Sequence, residues 1–189
     1  GHVTGVQTCA LPIWRGGEVG IRRVRALRGQ AMWDWVASRR DTGRLAVAAL
    51  SRSHNLPVTD GYPNDAVSLD WARRTFPKAF GYFVEHRDGF HTSLLMVDIR
   101  DFNYAGLDAE SGRIYSCQMY LPMPTHGSST ADFFNPQIRH IERMVLQRVQ
   151  PYPLERTLLT SGMTLAGVAS LHRGAPVETP EMEIGRAHV

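Results

Sequence analysis

Apolar and basic residues alternate from Val24 to Leu27, so the stretch 21–27 predicts a strand that ends at Gly29. From Gln30 the period lengthens. Met32, Trp33, Trp35 and Val36 fall at helical spacing, and a second helix is expected over 44–51, with Leu45, Ala48, Ala49 and Arg52 on one face. Pro57, Asp60-Gly61 and Pro63 mark 53–64 as loop. Ser68 suits the cap of a short helix over 69–76, which Pro77 stops.

The clearest local signal is Asp88-Gly89 between two β-rich runs. It predicts a two-residue type I′ turn with both central residues at positive φ. That register sets His86 opposite His91, Val84 opposite Ser93 and Tyr82 opposite Leu95. Apolar residues then lie on both sides of the hairpin, which is expected to be central and covered at least in part on both faces. A second hairpin, 102–107 and 113–121, turns at Glu110-Ser111-Gly112 and makes 79–121 an antiparallel meander. A polar loop over 125–135 precedes a helix from Pro136 with Ile138, Ile141, Val145 and Val149 on one stripe. Pro151-Tyr152-Pro153 breaks it. The last helix is expected over 154–172, with Leu158, Leu165, Val168 and Ala169 inward and Gly174 as its stop. Gly162 and Gly167 inside that helix predict close packing on the sheet. The expected fold is α+β, a single mainly antiparallel sheet with helices packed on one face.

Composition narrows the function classes. The 189 residues carry 21 Lys and Arg against 18 Asp and Glu, a net charge of +3. Such a near-neutral chain without a basic run gives no sign of a nucleic-acid partner. No window approaches the ~20 apolar residues of a membrane helix, so no membrane partner is expected. The two ends resemble each other at the level of their coding DNA. Suitable codons for 184–189, read on the opposite strand one frame over, yield Thr8-Cys9-Ala10-Leu11-Pro12-Ile13, and the same strand extended yields 3–7. Both ends thus resemble one sequencing-library adapter translated in two orientations. Residues 1–13 and 184–189 are expected to be adapter-derived, to flank a domain over 14–183 and to make few long-range contacts. Discounting Cys9 leaves Cys117 as the one native cysteine, which suggests no oxidising compartment; a cytoplasmic location is expected.

Candidate chemistry is sparse. Facing His86 and His91 would offer two metal ligands, but a site needs at least one more, and turn-proximal surface histidines are the plainer reading. His126, in Thr125-His126-Gly127, is a loop histidine that would suit acid–base work or ligand contact, or, without a visible partner, simply a solvated loop. Asp98, Arg100 and Asp101 cluster at the far end of the first hairpin and would line a polar ligand site or form surface ion pairs. The substrate-binding candidates are therefore Asp98, Arg100 and His126, with no catalytic, cofactor or metal residue assigned. Cys117, alternating with Tyr115 and Met119, is expected to be an inert core thiol. Trp33 and Trp35 would serve sugar stacking or, more simply, core or subunit-contact packing. Gly-x-Gly-x-x-Gly, the P-loop, Gly-x-Ser-x-Gly and Cys-x-x-Cys are all absent.

One resemblance adds to this reading. Ile138-Arg139-His140-Ile141-Glu142-Arg143-Met144-Val145, the break at 151–153, and Leu154-Glu155-Arg156-Thr157-Leu158-Leu159 form a block closed by Ser170-Leu171-His172-Arg173-Gly174-Ala175-Pro176-Val177-Glu178. It resembles the tail of the glucose–fructose oxidoreductase/inositol dehydrogenase (Gfo/Idh/MocA) family, where a long helix, a Ser-x-x-x-Gly-x-Pro-Val type sequence and a final strand follow one another. Phe83-Val84-Glu85-His86-Arg87-Asp88-Gly89 is similar to that family's sheet hairpin. The runs 15–20 and 152–160 are similar to those of uncharacterised bacterial proteins distantly related to these enzymes. The resemblance covers most of 15–182 and implies a C-terminal substrate-binding and oligomerisation domain without its nicotinamide-binding Rossmann half. It implies no cofactor in this stretch, NAD or NADP in the parent, a sugar or cyclitol substrate, and homo-oligomers through the sheet face. The family's Glu-Lys-Pro lysine and Asp/His pair have no match; Lys78 follows Phe76-Pro77 and is not that lysine. A non-catalytic ligand-binding or assembly module of the same fold therefore stays open, as does a metal-dependent lyase or isomerase using His86, His91 or His126.

Overall fold

The computed structural model describes residues 2–5, 19–57, 66–99, 101–119 and 134–183. In chain order they form β1 (His2–Gly5), β2 (Ile21–Arg28), α1 (Gly29–Ala37), α2 (Arg40–Leu50), α3 (Leu69–Thr75), β3 (Phe80–His86), β4 (His91–Met96), β5 (Phe102–Leu107), β6 (Ile114–Met119), α4 (Asn135–Gln147), α5 (Leu154–Arg173) and β7 (Val177–Glu178). One seven-stranded sheet runs β6-β5-β1-β4-β3-β2-β7, with every pairing antiparallel except β1 with β4. The fold is α+β with a mainly antiparallel sheet, as the periodicities predict. Among the described residues no helix is long and apolar enough to cross a membrane.

The meander is interrupted. β1 sits between the two hairpins, parallel to β4 and antiparallel to β5. Its backbone occupies edges of β4 and β5 that would otherwise present open N–H and C=O groups. The expectation that 1–13 make few long-range contacts is therefore not met at 2–5.

Helices cover both faces of the sheet rather than one. On the face of Leu27, Gly81, Phe83 and Leu95, α1, α2 and α3 enclose a core of Met32, Trp33, Val36, Ala46, Leu50, Trp71, Ala72 and Phe76. Trp33 is fully buried and its indole N–H donates to the Phe76 carbonyl at 3.0 Å. Ser68 caps α3, accepting from the Trp71 amide at 3.1 Å. On the opposite face, Ile21, Val24 and Val84 pack against Leu159, Met163, Ala166 and Met182. The first hairpin has apolar residues on both sides, so each needs a helix.

The α5 face that meets the sheet differs from the expected one. Leu159, Met163, Ala166, Gly167 and Ser170 point inward, while Leu158, Leu165 and Val168 are exposed. Small residues bring the helix close: a Cβ on Gly167 would lie 2.8 Å from the Tyr82 ring. Ser170 is fully buried; its hydroxyl accepts from the Ala26 amide at 2.9 Å and donates to the Ala175 carbonyl at 2.7 Å. β7 pairs only with Arg23 and Val24, so this hydroxyl satisfies the next outward-facing amide of β2. Gly174, at φ +66°, ends α5 and turns the chain back toward β2.

The first hairpin is one residue out of the expected register. Glu85, not His86, pairs with His91, and Phe83 with Ser93. Gly89 has φ +79° whereas Asp88 is not at positive φ, so the turn is not type I′. The Gly89 amide donates to the His86 carbonyl at 3.0 Å and the His86 amide to the Phe90 carbonyl at 2.8 Å. This is a type I turn closed by a glycine bulge, and the extra residue flips the partner strand's faces.

Candidate functional site

Strand alternation and one helical corner build the site. On the α1–α2 face, β2 presents Arg23 and Arg25, β3 presents Phe83 and Glu85, and β4 presents His91 and Ser93. α1 contributes Trp35, the α1–α2 junction Arg39, and α2 Thr42. Together they line an open cavity of about 370 Å³. Phe83 joins the core under the helical corner, while Arg23 and Glu85, near the ends of β2 and β3, line the cavity.

Charge is unevenly matched within it. Arg22 and Arg23 both hold Glu85, at 2.8 and 2.5 Å. Partial burial pushes the Glu85 carboxyl up, but the Arg23 bond and the charges of Arg23, Arg22 and His91 outweigh this and hold it below the usual glutamate value. Arg25 and Arg39 have no carboxylate partner among the described residues. Both instead lie on Trp35, their guanidinium carbons 4.7 and 3.4 Å from the indole centroid. Trp35 is braced in turn by Phe83, centroid to centroid 5.5 Å. Arg39 also donates to the Ser38 hydroxyl at 2.9 Å. Desolvation, and then repulsion from Arg25, lower the Arg39 pKa from its ordinary value. Two guanidinium groups on one aromatic plate, beside the hydroxyls of Thr42 and Ser93, make a place to hold an anion. The arrangement suits binding and orientation rather than bond making.

The expected site residues are scattered. Asp98 is exposed in the bend after β4, and Arg100 and His126 lie outside the described residues. His86 and His91 point to opposite faces: His86 is buried beside the Thr92 hydroxyl at 3.1 Å, and His91 is exposed. They do not form a ligand pair, and among the described residues no group of three or more His, Cys, Asp or Glu is placed to hold a metal. Cys117 is exposed rather than core, because β6 is an edge strand whose Ile114, Ser116 and Gln118 take the inward positions. Trp35, expected as a stacking or packing residue, has Arg25 and Arg39 against its ring and Phe83 beside it.

Asp101, grouped by sequence with Asp98 and Arg100, is a structural hub. Its carboxylate accepts from Ser53 Oγ at 2.7 Å, the His54 amide at 3.2 Å, Asn55 Nδ2 at 3.2 Å, Asn103 Nδ2 at 2.6 Å and Gln118 Nε2 at 2.7 Å. It ties the segment after α2 to β5 and β6.

Sequence reasoning passed over Arg23, Arg25 and Arg39. The signal was present as alternating arginines on a predicted strand and as Arg39 following closely on the Trp33/Trp35 helical run. No protein-family model matches the chain, and no curated protein matches it.

Proposed function

We propose that this chain is the substrate-side α+β domain of an oxidoreductase resembling the Gfo/Idh/MocA enzymes. The parent would move a hydride between a nicotinamide, NAD or NADP, and a hydroxyl of a sugar or cyclitol. The domain shapes the substrate pocket and carries no hydride chemistry alone. One observation supports this reading above the rest: α5 ends at a left-handed Gly174 and the chain returns as β7 onto β2, the helix–glycine–strand order of the resembling block. The cavity beside Trp35 supports it further, since ~300–1,000 Å³ is the usual span of small-molecule pockets.

The test is to express the complete reading frame that spans this chain in its source DNA and titrate it with NADH. Nicotinamide binding, together with a glycine-rich strand–turn–helix and a Glu-Lys-Pro segment upstream of Trp14, is the expected result. A frame lacking both segments and binding no nicotinamide overturns the reading.

A second reading, a non-catalytic ligand-binding or assembly module, has its own observation. α4 buries no residue, and Ile138, Ile141 and Val145 are exposed along it. With Leu158, Leu165 and Val168 of α5 they leave more apolar helix surface bare than scattered surface residues ordinarily do. Concentration-dependent mass by analytical ultracentrifugation, lost on Ile141→Glu, favours it; a monomer across the whole range counts against it.

A further inference from the structure

We propose that the cavity beside Trp35 binds the dianion of a phosphomonoester on a small, sugar-sized molecule, with Arg25 and Arg39 as its ligands. That the molecule's body is a polyol rests on the function proposed above; the anion site stands on geometry alone.

The argument begins with charge. Of the three arginines lining the cavity, Arg23 is committed to Glu85, which it shares with Arg22. Arg25 and Arg39 lie on the same indole ring, within 4.7 and 3.4 Å of its centroid, with no described carboxylate between them. Both guanidinium groups lie against the ring, and although Arg39 Nη1 donates to the Ser38 hydroxyl at 2.9 Å, each guanidinium keeps further N–H donors to bond outward. Two like charges held close are relieved most by a ligand of charge −2. A carboxylate supplies one negative charge and is served by one bidentate arginine; a phosphomonoester carries ~−1.5 to −2 at pH 7 and three acceptor oxygens. Thr42 of α2 and Ser93 of β4 line the same cavity and can add neutral donors.

The rest of the cavity sets the other end of the ligand. Glu85 and His91 face each other across β3 and β4 at the rim. The Glu85 carboxylate is kept ionised by its arginines, so it repels a second anionic group and accepts from hydroxyls. A singly phosphorylated polyol fits this division, and a bisphosphate does not.

The experiment is isothermal titration of the chain with inorganic phosphate, glucose 6-phosphate, glucose and glucuronate. Both phosphates are expected to bind, and glucuronate to bind at least about tenfold more weakly than glucose 6-phosphate. Affinity should fall from pH 7.5 to pH 5 as the phosphate, whose second pKa is ~6, loses its second charge. Arg25→Gln and Arg39→Gln should each weaken phosphate binding about tenfold or more. Arg28→Gln, on the same strand but outside the cavity, should leave it unchanged. Circular dichroism of each variant confirms that the fold is kept, and Arg→Lys at either position should restore part of the affinity. The proposal is overturned if phosphate does not bind, if binding survives both Arg→Gln substitutions, or if glucuronate binds as well as glucose 6-phosphate. A gain of glucose 6-phosphate over phosphate supports the polyol reading as well. Equal affinities uphold the dianion site and count against that reading instead.

Discussion

Replacing Asp101 with alanine removes an acceptor on which five donors converge, and the loss can be sized from the burial of each. Hydrogen bonds to a charged group contribute ~1.5–3 kcal/mol each, but donors within reach of water recover most of that when released. Ser53, His54, Asn55 and Gln118 are half-buried or exposed and rehydrate. Asn103 is 5% exposed and its Oδ1 already lacks a partner, so its amide would be left unsatisfied. One stranded buried group at ~1–3 kcal/mol plus a few tenths for each rehydrated donor gives ~3 kcal/mol. For a chain of 189 residues this lowers Tm by ~6–12 °C, at ~2–4 °C per kcal/mol. Asp101→Asn, which keeps the shape but turns an amide toward other donors, should cost about half as much. The pH arm follows from the same contacts. Partial burial raises the Asp101 pKa, but hydrogen bonds from Ser53, Asn55, Asn103 and His54 outweigh it and hold the carboxyl below its ordinary value. The unfolded chain therefore takes up the proton first. The contribution is full above the unfolded pKa of ~3.9 and is lost as pH falls through the lower folded value. Thermal unfolding followed by circular dichroism at pH 7, 5 and 3 checks this. A Tm loss under ~2 °C for Asp101→Ala at pH 7, or a wild-type advantage that does not shrink below pH ~4, refutes the reasoning.

The packing of α5 yields four further outcomes, all read by urea unfolding. Gly167→Ala sets a Cβ against the rigid Tyr82 ring and should cost ~2 kcal/mol. Gly162→Ala meets only the flexible thioether of Met182, and a helix-propensity gain of ~1 kcal/mol should leave it near neutral. Ser170→Ala breaks one buried and one part-buried bond and strands the Ala26 amide, a loss of ~2–3 kcal/mol. Leu165→Glu, at a position 71% exposed, should leave stability within ~0.5 kcal/mol of wild type; a large loss would show that α5 faces the sheet the other way.

Elements with a local chemical signature were legible in the sequence. The Ser68 cap, the Gly174 stop and the turn of the second hairpin each depend on one or two residues whose conformational preference is strong. What escaped depended on the company a residue keeps. Asp88-Gly89 suits two turn types, and the choice between them lies in whether Asp88 or only Gly89 takes positive φ. Hydrophobic periodicity pointed Leu158, Leu165 and Val168 inward, yet the sheet accepts the small-residue stripe because Tyr82 fills the space over Gly167. Cys117 alternates like a core residue, but edge position decides its exposure. The site shows the same division. Alternation places Arg23 and Arg25 on one side of β2, but only the fold of α1 and α2 over that side brings Trp35 and Arg39 to them.

The measurement that reaches the central claim most directly is a nitrogen–proton correlation spectrum of the four tryptophan indoles during titration with glucose 6-phosphate. If the cavity beside Trp35 is the ligand site, the Trp35 indole signal moves with saturable dependence. Those of Trp33 and Trp71, buried in the core, then stay in place. A ligand that shifts other signals and leaves Trp35 unmoved would contradict the account.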